Sequence, residues 1–215
     1  MTYLELVNSV LVRMRENTVT TVNETLYSSL IGQFVNDAKR RVEDAFDWNA
    51  LANTITLNTV SGTYNYILSG TNNRFKVIDV MNTSTKYQMQ NVPITWMTRQ
   101  FLLTTPQTGS AYYYGFNGVD SSGNVKVDVY PIPNKVETIN FNIVLPQNAL
   151  SADTDVLLVP SDLVSLGAYA MAIAERGEDG SVTSGDAYGL YNSALSDAIA
   201  IENSRYVENS EWQVV

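Results

Sequence analysis

Apolar positions recur at steps of three and four near both ends of the chain and at steps of two in between. Leu4, Val7, Leu11 and Met14 share one side, with Glu5, Asn8, Arg13 and Arg15 on the other, so the spacing predicts an amphipathic helix over 2–15 capped by Thr2. The stretch Asn17 to Val22 interrupts it. A second helix is expected over 24–47, capped by Asn23, with Leu26, Leu30, Phe34, Ala38, Val42 and Ala45 as its buried stripe and Phe46 and Trp48 closing its end. At 1.5 Å per residue it would be about 36 Å long.

After Trp48 the period falls to two. Strands are expected over 54–59, 63–68 and 74–81 as a meander, then over 86–89, 111–116, 125–130 and 138–144, separated by turns rich in Gly, Ser and Asn. Ile94, Met97 and Phe101 mark a short helix over 94–103. Beyond Pro146 the chain predicts a short strand over 156–159. Pro160 then opens a helix to about residue 176, with Leu163, Leu166, Ala170 and Ile173 inward. Gly167, Ala168, Ala170, Ala172 and Ala174 make that helix slim enough for close approach by another. A last helix is expected over 184–208, with Ala187, Tyr191, Ala194, Leu195, Ala198 and Ile201 on one side. The fold class that follows is α+β: an antiparallel helical bundle from 1–50 and 160–208, an antiparallel β domain inserted as 51–159, and an extended C-terminal tail, 209–215.

Composition adds mainly exclusions. The 215 residues include no His and no Cys, which removes the commonest acid/base switch, the thiol nucleophile, disulfides and the usual transition-metal ligands. Only 16% of residues are charged, while Tyr occurs 13 times, a balance that suits interfaces and half-buried strands alike. No apolar run approaches the roughly 20 residues needed to span a bilayer, and Met1 to Glu16 lacks the pattern of a signal peptide, so no membrane partner is expected. Net charge is −9. Residues 160–215 carry nine acids against two bases, so the C-terminal third holds most of the excess, and an acidic surface gains nothing from counterion release on nucleic acid. Such a wall suits a passage that DNA crosses without specific binding.

Candidate chemistry is sparse. Asp153 and Asp155 lie close enough to begin a calcium loop, but the Gly and closing Glu of such a loop are missing from their places. Glu178 and Asp179 read as a solvated turn. A glycosidase needs two acids across a cleft, and spacing alone does not bring two together here. No catalytic, cofactor-binding or metal-ligating residue is therefore assigned. Lys39, Arg40 and Arg41 form the one basic run, expected on a solvated helix face or against an acidic surface of a neighbouring subunit. In Tyr112-Tyr113-Tyr114, Tyr112 and Tyr114 should share a strand face, available for cross-strand packing, carbohydrate stacking or a partner protein.

The order of elements and several short motifs resemble the head-to-tail adaptors of short-tailed bacteriophages, a family also called tail tubular protein A or gatekeeper-type connectors. The resemblance rests on Val42-Glu-Asp-Ala-Phe-Asp-Trp48 leading into strands and on Tyr130-Pro-Ile-Pro133 near the end of the insertion. It rests also on Val159-Pro-Ser-Asp-Leu163, Ala174-Glu-Arg-Gly-Glu-Asp179, and a long helix with Tyr191 and Ala194-Leu195. It implies a non-enzymatic virion protein of the tail or neck, assembled in the host cytoplasm. It further implies a ring of about twelve copies that joins the portal protein to the tail nozzle protein and tail fibres and lines the DNA exit channel. On that reading Trp212, Gln213, Val214 and Val215 contact the portal, Lys39, Arg40 and Arg41 a neighbouring subunit, and Tyr112 and Tyr114 the tail or fibre side. The rival expectation is a virion carbohydrate-binding or cell-wall-degrading tail protein.

Overall fold

The computed structural model describes residues 1–71, 74–177 and 182–205 and is mixed α+β, with five α-helices among them. Two compact units emerge. One combines residues 1–51 with the chain from 147 onward; the other is Ala52–Pro146.

In the helical unit, α1 (Tyr3–Arg13) starts with a capping box: Thr2 accepts from the Glu5 amide, and the Glu5 carboxylate accepts from the Thr2 amide at 2.8 Å. α2 (Leu26–Ala45) starts two residues later than its sequence suggests, with Thr25 rather than Asn23 as the cap. The buried face is also rotated. Ile31, Val35, Ala38 and Val42 are fully buried, whereas Leu26, placed on the stripe by its spacing, is 93% exposed. Lys39 and Glu43 lie on that buried side as an ion pair, so charges disguise the inward face from any reading that equates charge with solvent. The helix ends as Trp48 folds back and donates from Nε1 to the Val42 carbonyl at 2.6 Å.

α4 (Ser161–Arg176) packs against α1, α2 and α5 (Val182–Asn203). Its small residues are used where the other helices converge. A Cβ on Gly167 would meet the Ala38 Cβ at 3.1 Å and the Tyr191 ring at 3.2 Å. Gly177 ends α4 in the left-handed conformation at φ 63°.

Residues 147–159, read from the sequence as the end of the β insertion, are stitched to these helices. The Asn36 side chain exchanges hydrogen bonds with both backbone groups of Leu150, and Asp153 accepts from the Val22 amide. The expected strand over 156–159 reduces to a single bridge between Val156 and Thr2.

The second unit holds β1 (Ala52–Asn58), β2 (Asn65–Leu68), β3 (Lys76–Asn82), β4 (Tyr87–Gln88), β5 (Gln90–Asn91), α3 (Ile94–Leu102), β6 (Thr108–Gly109), β7 (Tyr113–Val119), β8 (Val125–Tyr130), β9 (Ile132–Pro133) and β10 (Thr138–Val144). The early strands do not form a meander. One four-stranded sheet runs β1-β10-β3-β4, and the other runs β2-β8-β7-β5. Pairing is antiparallel except for the two-residue contacts β5 with β7 and β6 with β9. Val80, Ile139, Phe141 and Ile143 from the first sheet and Tyr66, Leu68, Tyr114, Val127 and Val129 from the second share one core. Alternation in β10, where Ile139, Phe141 and Ile143 are buried between half-buried neighbours, is why its span reads true from sequence.

Candidate functional site

Among the described residues, Asp153 and Asp155 are occupied by the fold. Asp155 accepts from the amides of Ser151 and Ala152 at 2.7 and 2.8 Å, which holds its carboxyl below the ordinary range. The backbone carbonyls of Asp153 and Asp155 in turn accept from the Leu4 and Tyr3 amides, the first donors of α1. Glu137 is buried in the β unit. Its burial pushes the carboxyl up, but hydrogen bonds from Ser110, Asn82 and the Ala111 amide, with the Lys135 charge, outweigh this and leave it lowered. Buried Asp128 accepts from Asn65 and Asn117. Among the described residues no group of three or more His, Cys, Asp or Glu side chains could hold a metal ion, and no helix is long and apolar enough to cross a membrane.

The basic run is split by the structure. Lys39 is 3% exposed, and its amine lies 2.9 Å from Glu43 and donates to the Gln147 carbonyl at 2.6 Å. Gln147 gives its own amide to Glu43, so the ion pair grips both backbone groups of one residue. Lys39 is thus an internal tie and cannot face a neighbouring subunit. Arg40 and Arg41 are exposed, Arg40 within 4.0 Å of Asp44, and the charge of Arg41 acts on the phenol of Tyr191.

The tyrosines divide as well. Tyr112 is 40% exposed and meets Tyr87 edge to face at 5.0 Å. Tyr114 is buried against Phe116 and Phe141, and burial pushes its phenol up. A fibre or glycan cannot reach Tyr114 while the core is packed. Tyr112 lies just before β7, which begins at Tyr113, and the two tyrosines differ in exposure rather than offering one surface. Trp212, Gln213, Val214 and Val215 lie outside the described residues, as do Glu178 and Asp179.

What the surface presents instead is exposed apolar side chains. Leu102 and Leu103 at the end of α3 are 75% and 77% exposed. In the helical unit Leu190 and Ile201 project from α5. That helix buries Tyr191 and Glu202 while Gly185 and Gly189 face open space. Beside it Trp48, Ala50, Leu158, Pro160, Ala198 and Ile201 line a groove of ≈ 470 Å³. Glu202 also lines it, accepting from the Asn49 amide and pairing with Arg205 at 2.8 Å.

Among the described residues, carboxylates held in internal bonds and apolar side chains left exposed on α3 and α5 suit a protein whose contacts are with other proteins. The chain belongs to the SU10 adaptor protein family, whose model matches residues 1–213. It is therefore a structural adaptor of a phage virion, and it associates with other head or tail proteins. No curated protein matches it.

Proposed function

We propose that this adaptor is the head-to-tail connector of a short-tailed, gatekeeper-type phage, assembled in the host cytoplasm as a ring of about twelve copies between the portal and the tail nozzle and fibres. The observation that carries the reading is α5. Its apolar residues point both inward, at Tyr191, and outward, at Leu190 and Ile201, as expected of a helix that becomes buried on both sides only in an assembly.

In this reading the helices of residues 1–51 and 147–205 act as one bundle, and α2 and α5 make the subunit contacts. Arg40 and Arg41 are exposed cations that meet the acidic C-terminal third of a neighbour, with exposed Asp186 and Asp197 among its acids. Tyr112 with Tyr87 belongs to the tail or fibre side. Trp212, Gln213, Val214 and Val215, outside the described residues, are the portal contact in this reading. A net charge of −9 per copy gives the ring a wall that DNA passes without specific binding, and the protein has no catalytic role.

The test is to mix the purified chain with portal rings of the same phage, measure the mass of the complex by light scattering, and image it. A portal-bound ring supports the reading and fixes its stoichiometry. A chain that never associates with portal refutes it.

A further inference from the structure

We propose that β1 is an acceptor edge to which an uncharged, extended strand of a different virion protein adds. The inference rests on the ring reading above for its choice of partner, and on the sheet itself for everything else.

The direction of the β1 backbone follows from its hydrogen bonds. Thr59, next in line, donates its amide to the Glu137 carbonyl, toward β10. Thr138, paired with Asn58, turns the other way, giving its amide to Ser84 and its carbonyl to the Thr83 amide. Alternation then aims the amides and carbonyls of Ala52, Thr54, Thr56 and Asn58 outward, away from the sheet. Thr54 agrees, because its amide donates to the Asn53 side chain at 2.8 Å, a local substitute for a strand partner. Five of the seven residues of β1 are exposed, and Ile55 and Leu57 are half-buried at the margin of the core.

Natural sheets protect such edges with charge, proline, bulges or short strands. The opposite edge of the same sheet has these devices. β4 is two residues long, and the stretch of β3 beyond it carries Lys76, Asp79 and a register shift opposite Asn142/Ile143. β1, with the sequence Ala-Asn-Thr-Ile-Thr-Leu-Asn, has no charge, no proline and no bulge against β10.

The chemistry of a fitting strand can be read from the rows that end at this edge. On the outer face Thr54 donates to Asn142, Thr56 to Asn140, and Thr138 to Asn58. Asn142 continues the first row to Asp79. A new strand with Thr, Ser or Asn on that face would lengthen each row, and aliphatic residues on its other face would cover the open halves of Ile55 and Leu57. A second copy does not suit a ring. Pairing β1 with β1 gives a two-fold contact that stops at a dimer, and pairing β1 with the far edge meets Lys76, Asp79 and the bulge. The donor is accordingly another chain of the virion.

Hydrogen exchange of residues 52–58, compared between the free protein and intact virions, tests this directly. The outward amides should slow by about 100-fold or more in virions. A paired variant supplies the second readout. Thr56→Pro removes one outward donor and no backbone bond to β10, losing only the hydroxyl bond to Asn140, whereas Thr56→Val keeps that donor and loses the same hydroxyl. Both should fold and bind portal rings as the wild type does, but only Thr56→Val should support tailed virions. A Thr56→Cys cross-link in virions should capture a different protein. Unchanged exchange in virions, normal tailing by Thr56→Pro, or a cross-link to a second copy would each overturn the proposal. Failure of the wild type to bind portal would instead strike the ring reading, leaving the exchange result to judge β1.

Discussion

Replacing Lys39 by Met separates a structural lysine from its two exposed neighbours, Arg40 and Arg41. The substitution keeps the length of the side chain and removes only the ammonium. The Glu43 carboxylate, 1% exposed at its side chain, loses the cation 2.9 Å away, and the Gln147 carbonyl loses its 2.6 Å donor. Breaking a buried pair from one side costs about 3–5 kcal/mol, and this range already includes the stranded partner. Against a total stability of roughly 5–15 kcal/mol for a domain, the loss is about a fifth or more. Replacing both partners, Lys39→Met with Glu43→Leu, removes the stranded charge but still orphans the amide and carbonyl of Gln147, so recovery should be partial and leave a deficit of about 1–3 kcal/mol. Arg40→Met and Arg41→Met should fall within about 0.5 kcal/mol of the wild type, since both side chains sit in solvent. Urea unfolding followed by far-ultraviolet circular dichroism gives all four values. A Lys39→Met cost below about 1 kcal/mol, or equal costs at 39, 40 and 41, would refute the argument that Lys39 is an internal tie.

Other substitutions probe the remaining contacts. Glu137→Gln should destabilise by about 1–3 kcal/mol at neutral pH. Because the folded carboxyl lies below its ordinary value, Glu137 contributes fully above the unfolded value near 4.5 and loses that contribution as pH falls through the folded value; the variant should show a shallower loss in acid, measured as melting temperature against pH. Gly167→Ala pushes a methyl against Ala38 and Tyr191 at just over 3 Å and should cost about 1–3 kcal/mol in urea. Tyr114→Ala should cost about 3–5 kcal/mol and Tyr112→Ala under about 1, and calorimetry that ranked them the other way would contradict the burial assigned to each.

The β10 strand, the α1 cap and the short helix α3 are legible in the sequence because each depends on neighbours within a few residues. Thr2 with Glu5 is a three-residue signal, and Ile139, Phe141 and Ile143 alternate regardless of what pairs with them. Composition also bears on function without any fold: no His or Cys, and the acidic excess after residue 160, are properties of the chain alone. What the tertiary structure decided are the contacts between distant residues. Buried Lys39 and Glu43 are partnered by Gln147, more than a hundred residues away, on the inward face of α2, while Leu26 lies outside. Strand order is likewise non-local: β1 pairs with the last strand rather than the next, which places an uncharged edge at the sheet boundary. Hydrophobic periodicity names the faces of a segment, but long-range polar pairing chooses between near-equivalent faces and neighbours, and that choice set the surfaces this adaptor offers to other proteins.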